Sequence, residues 1–175
     1  QQFVLDTVLN DFDKNIRRNY LIHGVTGSGK TEVYIKIIEY IINKGMQAIV
    51  LIPEIALTYQ TVSRFTGYFG DKVSVLHSRL SAGEKYDQMQ RAKSGEVQIM
   101  IGPRSALFTP FTNLGVIIID EEHESSYKSE VTSKYHARET ALKRASLCGA
   151  SVILGSATPS IETYYRAKCG VYKLL

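Results

Sequence analysis

The sequence of 175 residues has no tryptophan, two cysteines and four prolines. Cys148 and Cys169 lack the spacing of a metal site or a redox pair, so reduced thiols are predicted rather than a disulfide framework or a zinc module. We expect Cys148, which ends a helix-like stretch, to be a small buried packing residue. No apolar run could span a membrane and no leader pattern is present, so a cytoplasmic protein without a membrane partner is predicted.

The net charge and the length of the chain bear on its possible partners and on its number of domains. A formal net charge of +4 permits binding to a polyanion without demonstrating it. The length suffices for one α/β domain with a full hydrophobic core, here residues 1–175. Because the chain starts at Gln1 and stops on the apolar pair Leu174 and Leu175, we expect it to be part of a longer protein.

Residues 24–31 fit the pattern G-x-x-x-x-G-K-[ST], the phosphate-binding loop (P-loop) of P-loop NTPases. Glycines let the backbone wrap a phosphate closely, and the helix that follows presents its positive dipole end to the same anion. Lys30 is expected to reach the β- and γ-phosphates of ATP, and the Thr31 hydroxyl to bind Mg²⁺. The alternative is a glycine-rich turn with an incidental lysine. The predicted nucleotide-binding residues of the loop are Gly24, Val25, Thr26, Gly27, Ser28, Gly29, Lys30 and Thr31.

Apolar strands alternate with helices along the whole chain. The predicted strands are residues 20–23, 48–52, 73–77, 97–101, 115–119 and 151–154. The predicted helices are residues 1–9, 32–42, 56–69, 136–147 and 159–168, with another capped by Ser81 and Glu84. This alternation predicts a three-layer α/β/α fold with a mostly parallel central sheet. Ligands of such sheets bind beyond the carboxyl ends of the strands. The residues expected at that edge are the P-loop, Pro53, His77, Gly102, Asp120 and Gly155.

Two carboxylates, Asp120 and Glu121, directly follow a predicted apolar strand over residues 116–119. Beside a P-loop, the first is expected to hold Mg²⁺ and the second to orient or deprotonate the attacking water. With Lys30 they form the predicted catalytic set. The alternative is a solvated acidic turn after a buried strand, which would have no chemical role.

The residues Asp120-Glu121-Glu122-His123 resemble the Asp-Glu-x-His box of superfamily 2 helicases. Residues 155–160 are similar to the Ser-Ala-Thr motif of these helicases, and residues 51–58 to their motif Ia. With residues 102–108 and 126–128, the chain resembles more narrowly the family of replication-restart DNA helicases, over essentially its whole length. The resemblance implies the first RecA-like lobe of a two-lobed motor.

Several roles follow from this resemblance alone. Gln1, or its neighbour Gln2, falls where the family reads the adenine edge. His123, Ser156 and Thr158 would couple the nucleotide site to the DNA site. His123 could instead be a structural histidine at the start of a helix.

The resemblance also implies DNA contacts. Four residues on strand-end loops lie where such helicases hold the strand along which they move: Pro53, Glu54, Arg104 and Ser105. A later loop interleaves aromatic and cationic residues, which suits base stacking and phosphate pairing, and its candidates are Tyr127 and Lys128. The alternative is an ordinary surface loop with buried tyrosines whose hydroxyls point outward.

The implied activity is an ATP-dependent 3′-to-5′ DNA helicase that acts in replication restart and primosome assembly. The implied cofactors are ATP and Mg²⁺, with zinc expected only outside these residues. The implied partners are single-stranded and forked DNA, primosome proteins, single-strand-binding protein and a second helicase lobe of the same chain. Because no segment supplies arginine fingers, the isolated chain is expected to be weakly active or inactive. The alternatives are another superfamily 2 translocase or a nucleotide-binding interaction module without motor activity.

Overall fold

The computed structural model describes residues 1–25, 27–130 and 134–175. They form a seven-stranded parallel sheet with the strand order β3-β4-β2-β5-β6-β1-β7. The strands are β1 Asn19–His23, β2 Gln47–Leu51, β3 Val73–Val75, β4 Ile99–Gly102, β5 Leu114–Asp120, β6 Ser151–Ser156 and β7 Lys173–Leu174. The helices are α1 Gln2–Asp13, α2 Lys30–Asn43, α3 Tyr59–Phe69, α4 Ala82–Ser94, α5 Ala137–Cys148 and α6 Ile161–Lys168.

The central strands are buried on both faces, as their continuous apolar sequences require. Alternate residues of β5 enter opposite cores: Ile117 and Ile119 face one, Val116 and Ile118 the other. Since side chains of a strand alternate between the two faces, the sheet divides the domain into two hydrophobic cores. The first core includes residues from α4, α5 and α6, and the second includes residues from α1, α2 and α3.

The predicted α/β/α fold class is confirmed by this sheet and its two helical layers. The predicted capping box is also present, since the Ser81 hydroxyl accepts from the backbone N–H of Glu84 and the Glu84 carboxylate accepts from that of Ser81. The helix predicted over residues 56–69 starts later, at Tyr59, because the hydroxyl of Thr58 caps it there.

The predictions for the end of the first helix and for a cysteine were wrong, and one short strand was missed. The first helix continues to Asp13, beyond its predicted end at residue 9, because Val8 and Phe12 both reach the second core. The short strand β7, which pairs with β1, was not predicted, since two residues carry no periodic signal. Cys148 is exposed rather than buried. Within the described ranges, no helix is both long enough and apolar enough to cross a membrane.

Candidate functional site

The carboxyl ends of the parallel strands meet at one edge of the sheet, called here the strand-end edge. The P-loop follows β1, Asp120 ends β5, and Ser156 ends β6. In the paired strands His23 lies opposite Ser156, and Asp120 lies opposite Gly155. The sheet register therefore brings residues that are far apart in the sequence into one site, as the strand-end prediction required.

The P-loop depends on two glycines with left-handed backbone. Gly27 has a φ of 77°, and Gly29, which precedes the first residue of α2, has a φ of 82°. A Cβ atom at Gly29 would also collide with the carboxamide of Gln1. That carboxamide donates a hydrogen bond of 2.5 Å from Nε2 to the carbonyl of Ser28. Gln1 therefore lies against the P-loop, its contact with the adenine edge stays a prediction, and the predicted contact Thr26 lies outside the described residues.

Lys30 points its ammonium group into the loop. The side chain is 9% exposed, and its Nζ donates to the carbonyl oxygens of Gly24 at 2.7 Å and Val25 at 3.4 Å. The same atom lies 3.9 Å from Oε1 of Glu121. A phosphate in the loop would replace these partners with a stronger, charge-assisted one.

Asp120 is held where β5 ends. The buried phenol of Tyr34, on α2, donates a hydrogen bond of 2.9 Å to its Oδ1. Burial raises the pKa of the Asp120 carboxyl, and the hydrogen bond from Tyr34 opposes that rise. The half-buried Thr31 lies at the start of α2. A carboxylate in a poorly solvated place and a hydroxyl next to a phosphate loop are oxygen donors that suit Mg²⁺, so the residues present fit a Mg²⁺–nucleotide.

Glu121 turns the chain away from the sheet with a φ of 47°, in the left-handed region that glutamate seldom occupies. Its carboxylate lies within 3.9 Å of Lys30 and within 3.7 Å of Nδ1 of His123. Strained backbone of this kind concentrates at functional sites. The turn leaves Glu121 partly exposed to solvent at the strand-end edge, where it could contact a water molecule.

Glu122, unlike its neighbours Asp120 and Glu121, has a structural role, which the sequence did not predict. It is 2% exposed and accepts hydrogen bonds from the backbone N–H of Ser160 at 2.7 Å and the hydroxyl of Thr163 at 2.9 Å. The guanidinium of Arg138, itself 5% exposed, lies 3.6 Å away and also donates to Thr163 at 2.7 Å. This buried network joins the acidic box to the first turn of α6 and to α5.

The three residues assigned to coupling lie together. Nδ1 of His123 and the hydroxyl of Ser156 are 2.7 Å apart, and Nε2 of His123 is 3.5 Å from the Thr158 hydroxyl. The backbone N–H of Thr158 also donates to the Ser156 hydroxyl at 3.0 Å. A polar contact thus connects the acidic box after β5 to the segment after β6.

A second depression lies on the same edge, beside β2, β3 and β4. This cleft has a volume of about 330 Å³, and its lining includes five predicted DNA contacts: Pro53, Glu54, Arg104, Ser105 and Tyr127. Lys85 of α4 also lines it and supplies a further cation that the sequence reasoning did not single out. The spacing of basic residues along α4 would have been the only sequence signal for this role of Lys85, and lysines are common on the surfaces of helices.

Two of the predicted DNA contacts already have partners within the chain. Oε1 of Glu54 accepts from the backbone N–H of Ser78 at 3.0 Å, and hydrogen bonds from Ser78 hold the pKa of Glu54 below its ordinary value. The guanidinium of Arg104 donates to the carbonyl oxygens of Ser126 at 2.7 Å and Lys128 at 3.0 Å. Both side chains therefore fix the loops that form the cleft.

The prediction that Tyr127 stacks on a base was wrong. Its side chain is 1% exposed, and its hydroxyl donates to the carbonyl oxygens of Leu51 at 3.0 Å and Asp120 at 2.7 Å. The hydroxyl satisfies two backbone carbonyl groups at the ends of β2 and β5, which holds the ring inside the domain. The alternative of a buried tyrosine was right about burial, although the hydroxyl points inward. Lys128 next to it is exposed.

This combination of fold and site defines a nucleotide-binding lobe of the P-loop NTPase class, with the RecA-like architecture of helicases. The structure of RecG bound to a three-way DNA junction matches with a TM-score of 0.72 at 23% identity, over 99% of this chain and 22% of that one. A DEAD box protein from Methanococcus jannaschii matches with a TM-score of 0.69 at 23% identity, over 98% and 47% of the two chains. These likenesses confirm the predicted fold.

The chain belongs to the family described as "Type III restriction enzyme, res subunit", whose model matches residues 1–161. Its curated relatives include replication restart protein PriA of Bacillus subtilis, 54% identical over 175 residues, or 100% of this chain and 22% of the relative. PriA of Chlamydia pneumoniae is 47% identical over 99% of this chain and 23% of the relative. The predicted resemblance to replication-restart proteins is confirmed, and the chain spans about a fifth of the length of these relatives.

Proposed function

We propose that the chain is the first, ATP-binding lobe of a two-lobed ATP-dependent DNA helicase that acts in replication restart. The observation that carries this proposal is the convergence of Lys30, Asp120 and Glu121 at the strand-end edge, with Lys30 and Glu121 3.9 Å apart. Relatives named replication restart protein PriA, at 54% and 47% identity, support the choice of pathway.

In the proposed mechanism, the backbone N–H groups of the P-loop and the start of α2 bind the phosphates of ATP. Lys30 leaves the carbonyl oxygens of its own loop and pairs with the β- and γ-phosphates. Thr31 and Asp120 would hold Mg²⁺, which supplies charge neutralisation on the phosphate oxygens when bound. Glu121 orients the attacking water and accepts its proton.

Coupling to DNA is proposed to run through the polar contact of His123 with Ser156 and Thr158. Nucleic acid would enter the cleft beside Arg104, which fixes the loop geometry, and the exposed Lys128 would pair with a phosphate. The proposed substrates are single-stranded and forked DNA, and the proposed direction is 3′ to 5′. Primosome proteins, single-strand-binding protein and a second lobe complete the assembly in the cytoplasm.

The described residues contain no cluster of three or more metal-ligating His, Cys, Asp or Glu side chains. Zinc is proposed only for segments of the full-length protein outside these 175 residues, as the resemblance to replication-restart helicases implies. An arginine finger contributed in trans accelerates P-loop hydrolysis by orders of magnitude. We accordingly expect weak nucleotide binding and slow hydrolysis from the isolated chain.

The test is ATP hydrolysis by the full-length protein, with and without single-stranded DNA, beside its Glu121→Gln variant. The proposal expects strong stimulation by DNA and loss of hydrolysis in the variant. A rate of ATP hydrolysis that does not change when DNA is added would overturn the helicase assignment and leave only a nucleotide-binding lobe. Stimulation by double-stranded DNA or RNA alone would favour another translocase, which the family description also fits. Cellular function that survives Glu121→Gln would favour an interaction module without motor activity.

A further inference from the structure

Tyr34 connects the P-loop helix directly to the acidic strand. It lies four residues after Lys30 in α2 and is 1% exposed, and its hydroxyl donates a hydrogen bond of 2.9 Å to Oδ1 of Asp120. The two residues are 86 positions apart in the sequence, so the contact depends on the packing of α2 against β5. A phenylalanine would fill nearly the same space without this hydrogen bond. The hydroxyl therefore contributes something that packing does not require.

The backbone opposite Asp120 leaves room for this hydroxyl. Gly155 pairs with Asp120 across β5 and β6. A Cβ atom at Gly155 would collide with the hydroxyl of Tyr34 and would come within 3.4 Å of Oδ1 of Asp120. Glycine at the end of β6 thus allows the phenol to reach the carboxylate, a constraint independent of the hydrogen bond itself.

Asp120 is fixed from both sides of the sheet. Tyr34, in the second core, binds its side chain, and Tyr127, in the first core, donates to its main-chain carbonyl at 2.7 Å. In the part of the chain that the structure describes, Tyr34 is the only side chain that hydrogen bonds to this carboxylate. One carboxylate oxygen is thereby engaged, and Oδ2 has no side-chain partner among the same residues.

We propose that Tyr34 is a positioning residue for the metal–nucleotide complex, which holds the Asp120 carboxylate so that its second oxygen can bind the divalent cation. The inference rests on the proposed function, since it assigns the cation to Asp120. Hydrogen-bond partners that orient metal-binding carboxylates typically change metal affinity or activity by about 10- to 100-fold when they are removed. The Tyr34 hydroxyl is a partner of this kind, because it donates a hydrogen bond to the Asp120 carboxylate.

The experiment measures binding of a fluorescent non-hydrolysable ATP analogue to the full-length protein, in Mg²⁺ and in EDTA. For Tyr34→Phe we expect affinity in Mg²⁺ to fall by about tenfold and affinity in EDTA to stay at the wild-type value. With Mn²⁺ in place of Mg²⁺, the electron paramagnetic resonance spectrum of the bound ion should also change. A merely structural tyrosine would lower affinity equally in both buffers and leave the spectrum unchanged, and that result would overturn the inference.

Tyr20→Phe is the matched control. Tyr20 is also buried and donates to an aspartate, Oδ2 of Asp11, at 3.0 Å, but it lies at the start of β1, away from the strand-end edge. Its variant should bind nucleotide as the wild type does in both buffers. If Tyr34→Phe does not fold by circular dichroism, Gly155→Ala displaces the same hydroxyl and should give the same loss confined to Mg²⁺.

The outcomes separate this inference from the proposed function. If the wild type binds nucleotide without any dependence on Mg²⁺, the proposed function fails, and the inference fails with it. If the wild type depends on Mg²⁺ and neither Tyr34→Phe nor Gly155→Ala alters that dependence, the inference alone is overturned.

Discussion

At the nucleotide half of the strand-end edge, the charged groups have partners that a ligand could replace, whereas at the cleft half they hold the chain itself together. Lys30 donates to carbonyl oxygens of its own loop and lies near Glu121. Arg104, by contrast, holds two carbonyl oxygens of the segment after the acidic box, and Glu54 holds the loop after β3. The charged groups of the nucleotide half can exchange their partners for a ligand, whereas those of the cleft half hold their loops in place.

A charged side chain on a functional edge can be interpreted as a ligand contact only where its present partners can be exchanged. A cation that donates to carbonyl oxygens of the loop beside it can exchange them for a phosphate, because the charge-assisted hydrogen bond to a phosphate is stronger. A cation that joins two separate loops cannot do so without moving them. Four predictions compare groups that can exchange partners with groups that hold the chain together, in order of decreasing effect.

Lys30→Ala should nearly abolish ATP hydrolysis by the full-length protein. The loss should be on the order of 100-fold or more, the scale found when a preorganised electrostatic group at a reacting centre is removed. The matched control is Lys36→Ala, on the same helix, where the lysine is partly exposed and pairs with Glu39 at 3.2 Å. Steady-state hydrolysis at saturating ATP measures both variants. Equal activity of the two would contradict an exchangeable role for Lys30.

Glu122→Ala should destabilise the chain by about 2–4 kcal/mol, since the backbone N–H of Ser160 and the hydroxyl of Thr163 lose their buried acceptor, while Arg138 keeps only Glu139 and Glu162. Its neighbour provides the control: Glu121→Ala should change the free energy of unfolding by less than about 0.5 kcal/mol, because Glu121 is partly exposed. Urea unfolding of both variants measures the difference. Similar unfolding free energies for the two would show that the buried network contributes little.

Tyr127→Phe should lower the free energy of unfolding by about 1–3 kcal/mol, because the carbonyl oxygens of Leu51 and Asp120 lose a buried donor. Tyr135→Phe, in the segment that follows and half-buried, should change it by less than about 0.5 kcal/mol. Thermal unfolding monitored by circular dichroism distinguishes the two. A Tyr127 variant as stable as wild type would reopen the stacking role that its burial contradicts.

His136→Asn should remove part of the pH dependence of stability. Nδ1 of His136 accepts the backbone N–H of Arg138 and caps α5. Burial, followed by the positive charge of Arg138, lowers the pKa of His136 below 6.5, while Glu122, Glu139 and Glu162 oppose this.

The unfolded chain therefore takes up a proton more readily than the folded chain, and stability should fall as the pH drops below about 6.5. Asparagine caps the helix without titrating, so its variant should lose this decline, an effect of at most about 1 kcal/mol. His136→Ala should instead lose the cap at every pH. Unfolding in urea between pH 5 and pH 7.5 gives the curves, and parallel curves for wild type and His136→Asn would contradict the assignment.

What the sequence predicted well was local. The glycines before Lys30 and the apolar strand before Asp120 lie within a few residues of the groups that they position, so their spacing carries the information. The contacts of Tyr34 with Asp120 and of Glu122 with Thr163 join residues 86 and 41 positions apart. No single-sequence pattern marks such pairs, because the sheet register decides which of them meet. The roles of Gln1 and His123 remain predictions that geometry permits.

The positions of the two exposed cysteines make them suitable for chemical labelling. Cys148 ends α5, three residues before β6 begins, and Cys169 follows α6, four residues before β7 begins. In a parallel sheet those strand starts lie at the edge opposite the carboxyl ends. Maleimide dyes or a surface linker would therefore attach at the far side of the lobe, and single-molecule records of its movement could be collected with both ligand sites unobstructed.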